Sequence, residues 1–175
     1  MSEIIAVDMY DNQIGIVTKI DGHSRPILHR AFSVFLYQED KMLIQKRSPS
    51  KYHSPSLWTN ACCSHPQPDE VLTVAVERRL NEELGISCSC EKEFSFIYYN
   101  KFSENLYEYE YDHVFIGEYN GLIKINTDEV EQVKWVQIDE LATDLVLHPQ
   151  KFSVWFLISA PRIIEKIKGG YLYNG

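Results

Sequence analysis

The order of apolar and polar positions along the chain predicts a protein built mainly on β-strands. Residues Ile4–Met9 form one apolar run, and Ile14–Lys19 form a second after a polar turn at 10–13, so a hairpin is expected. Further strands are predicted where aliphatic and aromatic residues recur between polar turns. These segments are Ala31–Tyr37, Met42–Arg47, Phe94–Tyr99, Tyr107–Glu118 and the region around Val133–Val136.

The middle of the chain predicts a long loop followed by a helix. The helix is expected from about Glu70 to Leu84, with Asp69 as its N-cap and Gly85 at its C-terminus. A loop as long as the one before it is usually functional in a compact domain. The prolines in that loop are Pro49, Pro55, Pro66 and Pro68.

The last segment predicts a second helix. It begins at about Phe152, and we expect Pro161 to interrupt it and Gly169-Gly170 to end it. The chain shows no internal repeat and no linker. Strands and helices together therefore predict one mixed α/β domain with helices around a central sheet.

Composition and charge narrow the class of protein. The chain has 175 residues, of which 45% are hydrophobic, so it is expected to fold as one soluble domain without disulfide staples. It contains no apolar stretch of about 18 residues and no signal peptide, which predicts a cytoplasmic protein without membrane insertion. The net charge of −8 disfavours nucleic acid as a partner. The four cysteines form no CxxC pair, so we expect reduced thiols.

Two charged residues break the apolar pattern of the central helix. Leu72, Val76 and Leu80 form one apolar stripe, but Arg79 and Glu83 fall within the apolar half of the helix on adjacent turns. One interpretation is an ion pair between residues i and i+4 at the edge of the packing. The other is a carboxylate directed at a metal ion in a cleft, because charged side chains are rarely buried without a partner.

Three carboxylates share one face of a predicted strand. The two-residue period of a strand places Glu108, Glu110 and Asp112 on one face and the intervening tyrosines on the other. The face is either solvated or a site for a divalent cation, since hard cations favour carboxylate oxygens.

The loop before the central helix carries a cysteine two residues from a histidine, Cys63 and His65. The pair has three interpretations: a nucleophile with its base, two metal ligands, or two unrelated residues. His23 and His29 lie upstream and would complete a histidine-rich site with His65, although each alone is more often structural.

The helix and the residues before it resemble the Nudix box, G-x5-E-x7-R-E-U-x-E-E-x-G-U, where U is apolar. The positions that match are Glu70, Arg78, Leu80, Glu82, Glu83, Gly85 and Ile86. Two positions depart: Ser64 replaces the first glycine, and Arg79 replaces the glutamate after the arginine. Glutamates of that box bind the metals with which Nudix hydrolases cleave diphosphates, so ordinary hydrolysis is not expected.

The departures fit a second resemblance, which covers the chain from about Lys19 to Trp155. The segments 58–60 and 63–66, the pair Glu108-x-Glu110 and the upstream histidines together resemble type 1 isopentenyl diphosphate isomerases. The resemblance implies an α/β (α+β) fold, a Nudix-like mixed β-sheet flanked by helices, with the N-terminal hairpin as an extension. We expect one domain over residues 1–175 with a Nudix core at about 30–160.

The resemblance also implies a role for particular residues. Cys63, rather than Cys62, and Glu110 are the expected catalytic groups. The expected metal ligands are His23, His29, His65, Glu108 and Glu110, with Glu83 holding magnesium on the substrate diphosphate. The expected substrate-binding residues are Lys19, Arg47, Lys51, Ser64, Tyr98 and Trp155. The cofactors implied are Mg²⁺ with the diphosphate and Mn²⁺, Mg²⁺ or Zn²⁺ at the histidine and glutamate site.

The function implied is interconversion of isopentenyl and dimethylallyl diphosphate through a carbocation-like intermediate, in isoprenoid biosynthesis. The partner is then a small allylic or homoallylic diphosphate, and the protein is expected to be a monomer or weak homodimer. Trp155 offers an aromatic face to the cation, worth about 0.5 to 2 kcal/mol. The rival hypotheses are a Nudix diphosphate hydrolase, which Arg79 disfavours, and a non-catalytic module, which Cys63 disfavours.

Overall fold

The computed structural model describes residues 2–51 and 53–173. The strands are β1 (Glu3–Val7), β2 (Gln13–Thr18), β3 (His29–Gln38), β4 (Lys41–Arg47), β5 (Trp58–Thr59), β6 (Cys62–Ser64), β7 (Glu91–Ser103), β8 (Leu106–Glu118) and β9 (Val130–Gln137). The helices are α1 (Lys19–Ser24), α2 (Leu72–Leu84), α3 (Ile138–Leu147) and α4 (Val154–Tyr173), with a short 3₁₀ turn at Pro149–Lys151. All nine strands described belong to one mixed sheet.

Strand β3 is central to this sheet because it pairs along both of its edges. Along one edge it runs parallel to β8, with His29 opposite Glu110. Along the other edge it pairs in turn with β1, β6 and β4, and Ser33 lies opposite Cys63 of β6. The segments that carry a predicted histidine, glutamate and cysteine are therefore neighbours in the sheet.

Each face of the sheet is covered by helices, and alternate residues of a strand pack into different cores. Phe35 packs on one face with Val114, Ile116 and the apolar residues of α3 and α4. Phe32 and its neighbours two residues apart pack on the other face against α2. The carboxylates Glu108, Glu110 and Asp112 are buried at 3, 7 and 1% exposure, so the solvated interpretation of that face is wrong.

The start of α2 differs from the expectation. The helix begins at Leu72, Val71 is its N-cap without a side-chain hydrogen bond, and Asp69 has a left-handed φ of 62° that is unsuited to an N-cap. Glu70 organises the start instead, since its carboxylate accepts from the backbone N–H of Gln67 at 2.8 Å and pairs with Arg78 at 2.7 Å. The expected end is confirmed, because Gly85 is the C-cap with a φ of 63°.

The C-terminal helix also differs from the expectation. Helix α4 runs from Val154 to Tyr173, so Pro161 does not interrupt it and Gly169-Gly170 do not end it. Proline removes one backbone hydrogen bond, but residues on both sides of it, including Phe156 and Ile164, pack into the same core. Tertiary packing therefore maintains the helix, as it often does against local propensity.

The pattern of the chain also missed two helices and two short strands. Helix α1 is one short turn capped by the Thr18 side chain, α3 follows β9 directly, and β5 and β6 lie inside the predicted long loop. Among the helices described, none is long and apolar enough to cross a membrane. The four cysteines are free thiols.

Candidate active site and metal centre

A cavity of about 440 Å³ opens at the first half of β3, beside β6, β7 and β8. Most of the side chains predicted for a site line it. They are Lys19, Arg47, Lys51, Cys63, Ser64, His65, Tyr98, Glu108, Glu110 and Trp155. The cavity combines a cationic side, an acidic wall and an aromatic wall.

Four of the predicted metal ligands converge in one cluster, of which His65 and Glu110 line the cavity. One ligand atom from each of His23, His29, His65 and Glu110 lies within 4.8 Å of the others. Ligand atoms about 2.1 Å from one shared ion lie up to about 4.2 Å apart, so this arrangement is close to a coordination shell. The ring centroids of His29 and His65 are 5.0 Å apart, which agrees with one shared centre.

Two of the three histidines in the cluster are oriented by backbone carbonyls. Nδ1 of His23 donates to the carbonyl of Tyr107 at 3.0 Å, and Nδ1 of His29 donates to that of Ile27 at 2.8 Å. Each donation directs Nε2 of the ring toward the cluster, as metal-binding histidines require. Burial lowers the pKa of His23 to about 4 and that of His65 to about 3, so both rings stay neutral and able to bind a metal. The donor set therefore fits a divalent ion.

The two glutamates of β8 differ in their contacts. Oε1 of Glu110 lies 3.0 Å from Nε2 of His65 and 3.5 Å from Nε2 of His29. Burial opposes ionisation of Glu110, yet these histidines hold its pKa well below the usual range. Glu108 lies beside the four-residue cluster rather than within it. Burial and the charge of Glu110 raise the pKa of Glu108, and the hydroxyl of Tyr98 lies within 3.1 Å of both carboxylates.

The two adjacent cysteines point to opposite faces of the sheet. Cys63 lines the cavity, whereas Cys62 is fully buried in the core that packs against α2. Sγ of Cys63 lies 3.6 Å from the guanidinium of Arg47. Burial raises the pKa of Cys63 to about 12, so the thiol keeps its proton at neutral pH.

Two cations of the cavity, Arg79 and Lys51, form ion pairs with carboxylates of α2 and of the loop before β9. Arg79 forms an ion pair with Glu83, as the interpretation from helix spacing predicted, and it also reaches Glu129 at 3.4 Å. Lys51 pairs with the same Glu129. Oε2 of Glu83 accepts a hydrogen bond of 3.0 Å from Gln45. An arginine thus occupies the place where a second metal-binding glutamate would lie in the box.

Comparison with known proteins places this geometry in a family. The NUDIX domain matches residues 27–156. Isopentenyl-diphosphate Delta-isomerase 2 of Photorhabdus laumondii subsp. laumondii is 48% identical over 158 residues, covering 89% of this chain and 89% of that protein. Isopentenyl-diphosphate Delta-isomerase 2 of Aromatoleum aromaticum is 42% identical over 164 residues, covering 93% of this chain and 87% of that protein.

The chain belongs to the isopentenyl-diphosphate Delta-isomerase family. The crystal structure of DR0079 from Deinococcus radiodurans has the same fold, with a TM-score of 0.76 at 19% identity over 92% of this chain and 98% of that one. The expected family and the Nudix-like mixed sheet flanked by helices are therefore confirmed.

Several residues of the site were not predicted from the sequence. His53 lies on the cavity wall with its Nε2 atom 3.1 Å from Glu108, and Glu129 joins two of the cations. Gln45 is a buried polar residue that follows an apolar stretch of β4. This break in the apolar pattern was the one feature of the sequence that could have marked Gln45 as a site residue. Asn60 belongs to the segment 58–60 that carries the family resemblance, but only the structure shows that its side chain contacts β3, β6 and Trp155.

Proposed function

We propose that the protein interconverts isopentenyl and dimethylallyl diphosphate by adding one proton to the alkene and removing another. The observation that carries the proposal is one cavity that holds Cys63, Glu110 and Trp155 together with Lys19, Arg47 and Lys51. The family relationship supports the same activity, because relatives at 42 and 48% identity are named for it.

The side chains supply the two proton positions that this reaction needs. A proton adds to the terminal alkene carbon, which leaves a tertiary cation, and a proton then leaves the carbon on the diphosphate side. Cys63 carries a proton and Glu110 is ionised in the protein as described, so a donor group and an acceptor group border one cavity. The buried indole of Trp155 lines the cavity with the guanidinium of Arg47 5.2 Å from its ring centroid, and the same aromatic ring would stabilise the transient cation.

The charged side of the cavity suits a diphosphate. Lys19, Arg47 and Lys51 supply local positive charge in a chain whose net charge is −8. Ser64 and Tyr98 border the same space. Glu83 is the residue that would hold Mg²⁺, together with oxygens of the substrate diphosphate, in a position where Arg79 disfavours a second ion.

The histidine cluster is proposed to hold a second divalent ion. His23, His29, His65 and Glu110, with Glu108 adjacent, would bind Mn²⁺, Mg²⁺ or Zn²⁺ through nitrogen and oxygen atoms. When bound, the ion would fix the orientation of the Glu110 carboxylate and lower its proton affinity.

Product analysis tests the proposed function. Isopentenyl diphosphate incubated with the protein, Mg²⁺ and Mn²⁺ should yield an acid-labile allylic diphosphate without release of inorganic phosphate. Release of phosphate with the alkene position unchanged would favour the Nudix hydrolase, and recovery of unchanged substrate would favour a non-catalytic module. Protein stripped of metal by a chelator is the matched control, and adding back a divalent ion should restore turnover.

A further inference from the structure

The loop between β4 and β5 brings a further histidine, His53, to the wall of the candidate metal centre. Nε2 of His53 lies 3.1 Å from Oε1 of Glu108, and both side chains are buried, at 8 and 4% exposure. A histidine ring in this position interacts with a carboxylate that lies beside the metal cluster. The roles proposed above for the site do not involve this residue.

The His53 ring is fixed by its neighbours rather than free to turn. It stacks on Phe102 with ring centroids 5.3 Å apart, and it lies nearly perpendicular to the ring of Trp155, at 79°, with centroids 5.9 Å apart. The guanidinium of Arg47 donates to the backbone carbonyl of His53 at 3.3 Å, which anchors the loop itself. Contacts with these two aromatic rings hold Nε2 of His53 near Glu108.

Glu108 has contacts on both of its carboxylate oxygens. His53 lies on Oε1, and the hydroxyl of Tyr98 lies 3.1 Å from Oε2 and 2.7 Å from Oε2 of Glu110. The contacts form a continuous chain from His53 through Glu108 and Tyr98 to Glu110, which belongs to the four-residue cluster. A change at His53 therefore reaches the metal centre through the position of Glu108.

We propose that His53 is a positioning residue whose Nε2–H group donates to Glu108 and holds that carboxylate against the metal centre. The inference rests on the metal centre of the proposed function and adds a residue to it. His53 lies outside the four-residue cluster of candidate ligands and contacts the Glu108 carboxylate, so the proposed action is through Glu108. Partners that orient metal-binding carboxylates typically change metal affinity or activity 10- to 100-fold when they are removed.

The test is the affinity for Mn²⁺ alone, measured without diphosphate from the electron paramagnetic resonance signal of the free ion. His53→Leu should weaken Mn²⁺ binding by about 10- to 100-fold. His53→Gln should bind within about threefold of the parent protein, because the glutamine amide nitrogen lies where Nε2 lies and can donate the same hydrogen bond. His113→Leu is the matched control: His113 is also buried, at 2% exposure, and its Nε2 atom lies 2.9 Å from a carboxylate oxygen of Asp11, but it does not line the cavity.

Three results with the single variants would overturn the inference. They are parental affinity in His53→Leu, a loss in His53→Gln as large as that in His53→Leu, and an equal loss in His113→Leu. In a Glu108→Gln background, His53→Leu should cause no further loss, and a full additional loss would also refute action through Glu108. If His53→Leu does not fold, ¹⁵N NMR of the histidines in the Zn²⁺-loaded parent protein tests the inference instead. The Nε2–H tautomer of His53 supports the proposed hydrogen bond, and the Nδ1–H tautomer contradicts it.

These outcomes are separable from failure of the proposed function. A parent protein that binds Mn²⁺ but does not isomerise isopentenyl diphosphate refutes the function and leaves the His53 comparison intact. A parent protein that isomerises normally, with the same Mn²⁺ affinity in all variants, refutes the role of His53 alone.

Discussion

Replacing Asn60 with alanine should destabilise the protein by about 4 kcal/mol. Its side-chain amide donates to the carbonyls of Val34 and Cys62, and its oxygen accepts from Nε1 of Trp155 at 3.1 Å and from the hydroxyl of Thr59 at 2.8 Å. Asn60 is fully buried, so no solvent replaces these bonds. Each lost bond costs roughly 1 kcal/mol net, and more where its partner stays unsatisfied. Four such bonds give the estimate.

Urea unfolding followed by circular dichroism measures this loss. Asn60→Asp keeps the oxygen that accepts from Trp155 but loses both donors, so it should also be destabilised by at least about 2 kcal/mol. Asn81→Ala, at an exposed position of α2, is the matched control and should change stability by less than about 0.5 kcal/mol. A loss below about 1 kcal/mol in Asn60→Ala would show that the side chain does not join β3, β6 and α4 as described.

Three further predictions concern the cysteines, the magnesium site and acid stability. Cys63→Ala should abolish turnover with the fold intact, whereas Cys62→Ala should retain activity, because Cys63 lines the cavity and Cys62 does not. A steady-state assay in which Cys62→Ala is inactive and Cys63→Ala is active would mean that the catalytic role was assigned to the wrong cysteine. Calorimetry should show Mg²⁺ binding near Glu83 only when a non-reactive diphosphate analogue is present, and Arg79→Glu should weaken isomerisation. Tight Mg²⁺ binding without any diphosphate contradicts the substrate-assisted site. Burial lowers the pKa of His113 from 6.5 to about 4, so as the pH falls the imidazole is protonated in the unfolded chain before it is protonated in the folded protein. The neutral, buried His113 therefore contributes fully to the free energy of unfolding above pH 6.5, and this contribution is lost as the pH falls toward 4. Urea unfolding at pH 7 and pH 5 should therefore show a larger loss in the parent protein than in His113→Gln, and equal losses would refute this assignment.

The sequence was sufficient for the parts of the fold that depend on local pattern. Alternation along β8 correctly predicted that Glu108, Glu110 and Asp112 share a face, and the structure shows that all three are buried. Helix α2 was recognised from its apolar stripe and its terminal glycine. Helix α4 was misjudged at Pro161, because packing on both sides of the proline outweighs its local preference.

The site was predictable only where a motif fixed the spacing of its residues. His29 and His65 were expected together from a family resemblance, and the structure brings them together through the pairing of β3 with β6 and β8. His53 and Glu129 have no such spacing, because their partners Glu108 and Lys51 meet them only after loops close over the sheet. Contacts of this kind are tertiary and leave no periodic signal in the chain.

Deuterium incorporation is the most direct test of the central claim, that Cys63 and Glu110 move protons on an alkene in one cavity. Isopentenyl diphosphate is incubated with the protein, Mg²⁺ and Mn²⁺ in D₂O and followed by proton NMR. The account predicts dimethylallyl diphosphate that carries deuterium in the methyl group derived from the terminal alkene carbon, and no such product with Cys63→Ala or Glu110→Gln. Full conversion by either variant, or dimethylallyl diphosphate formed by the parent protein without solvent deuterium, would contradict it.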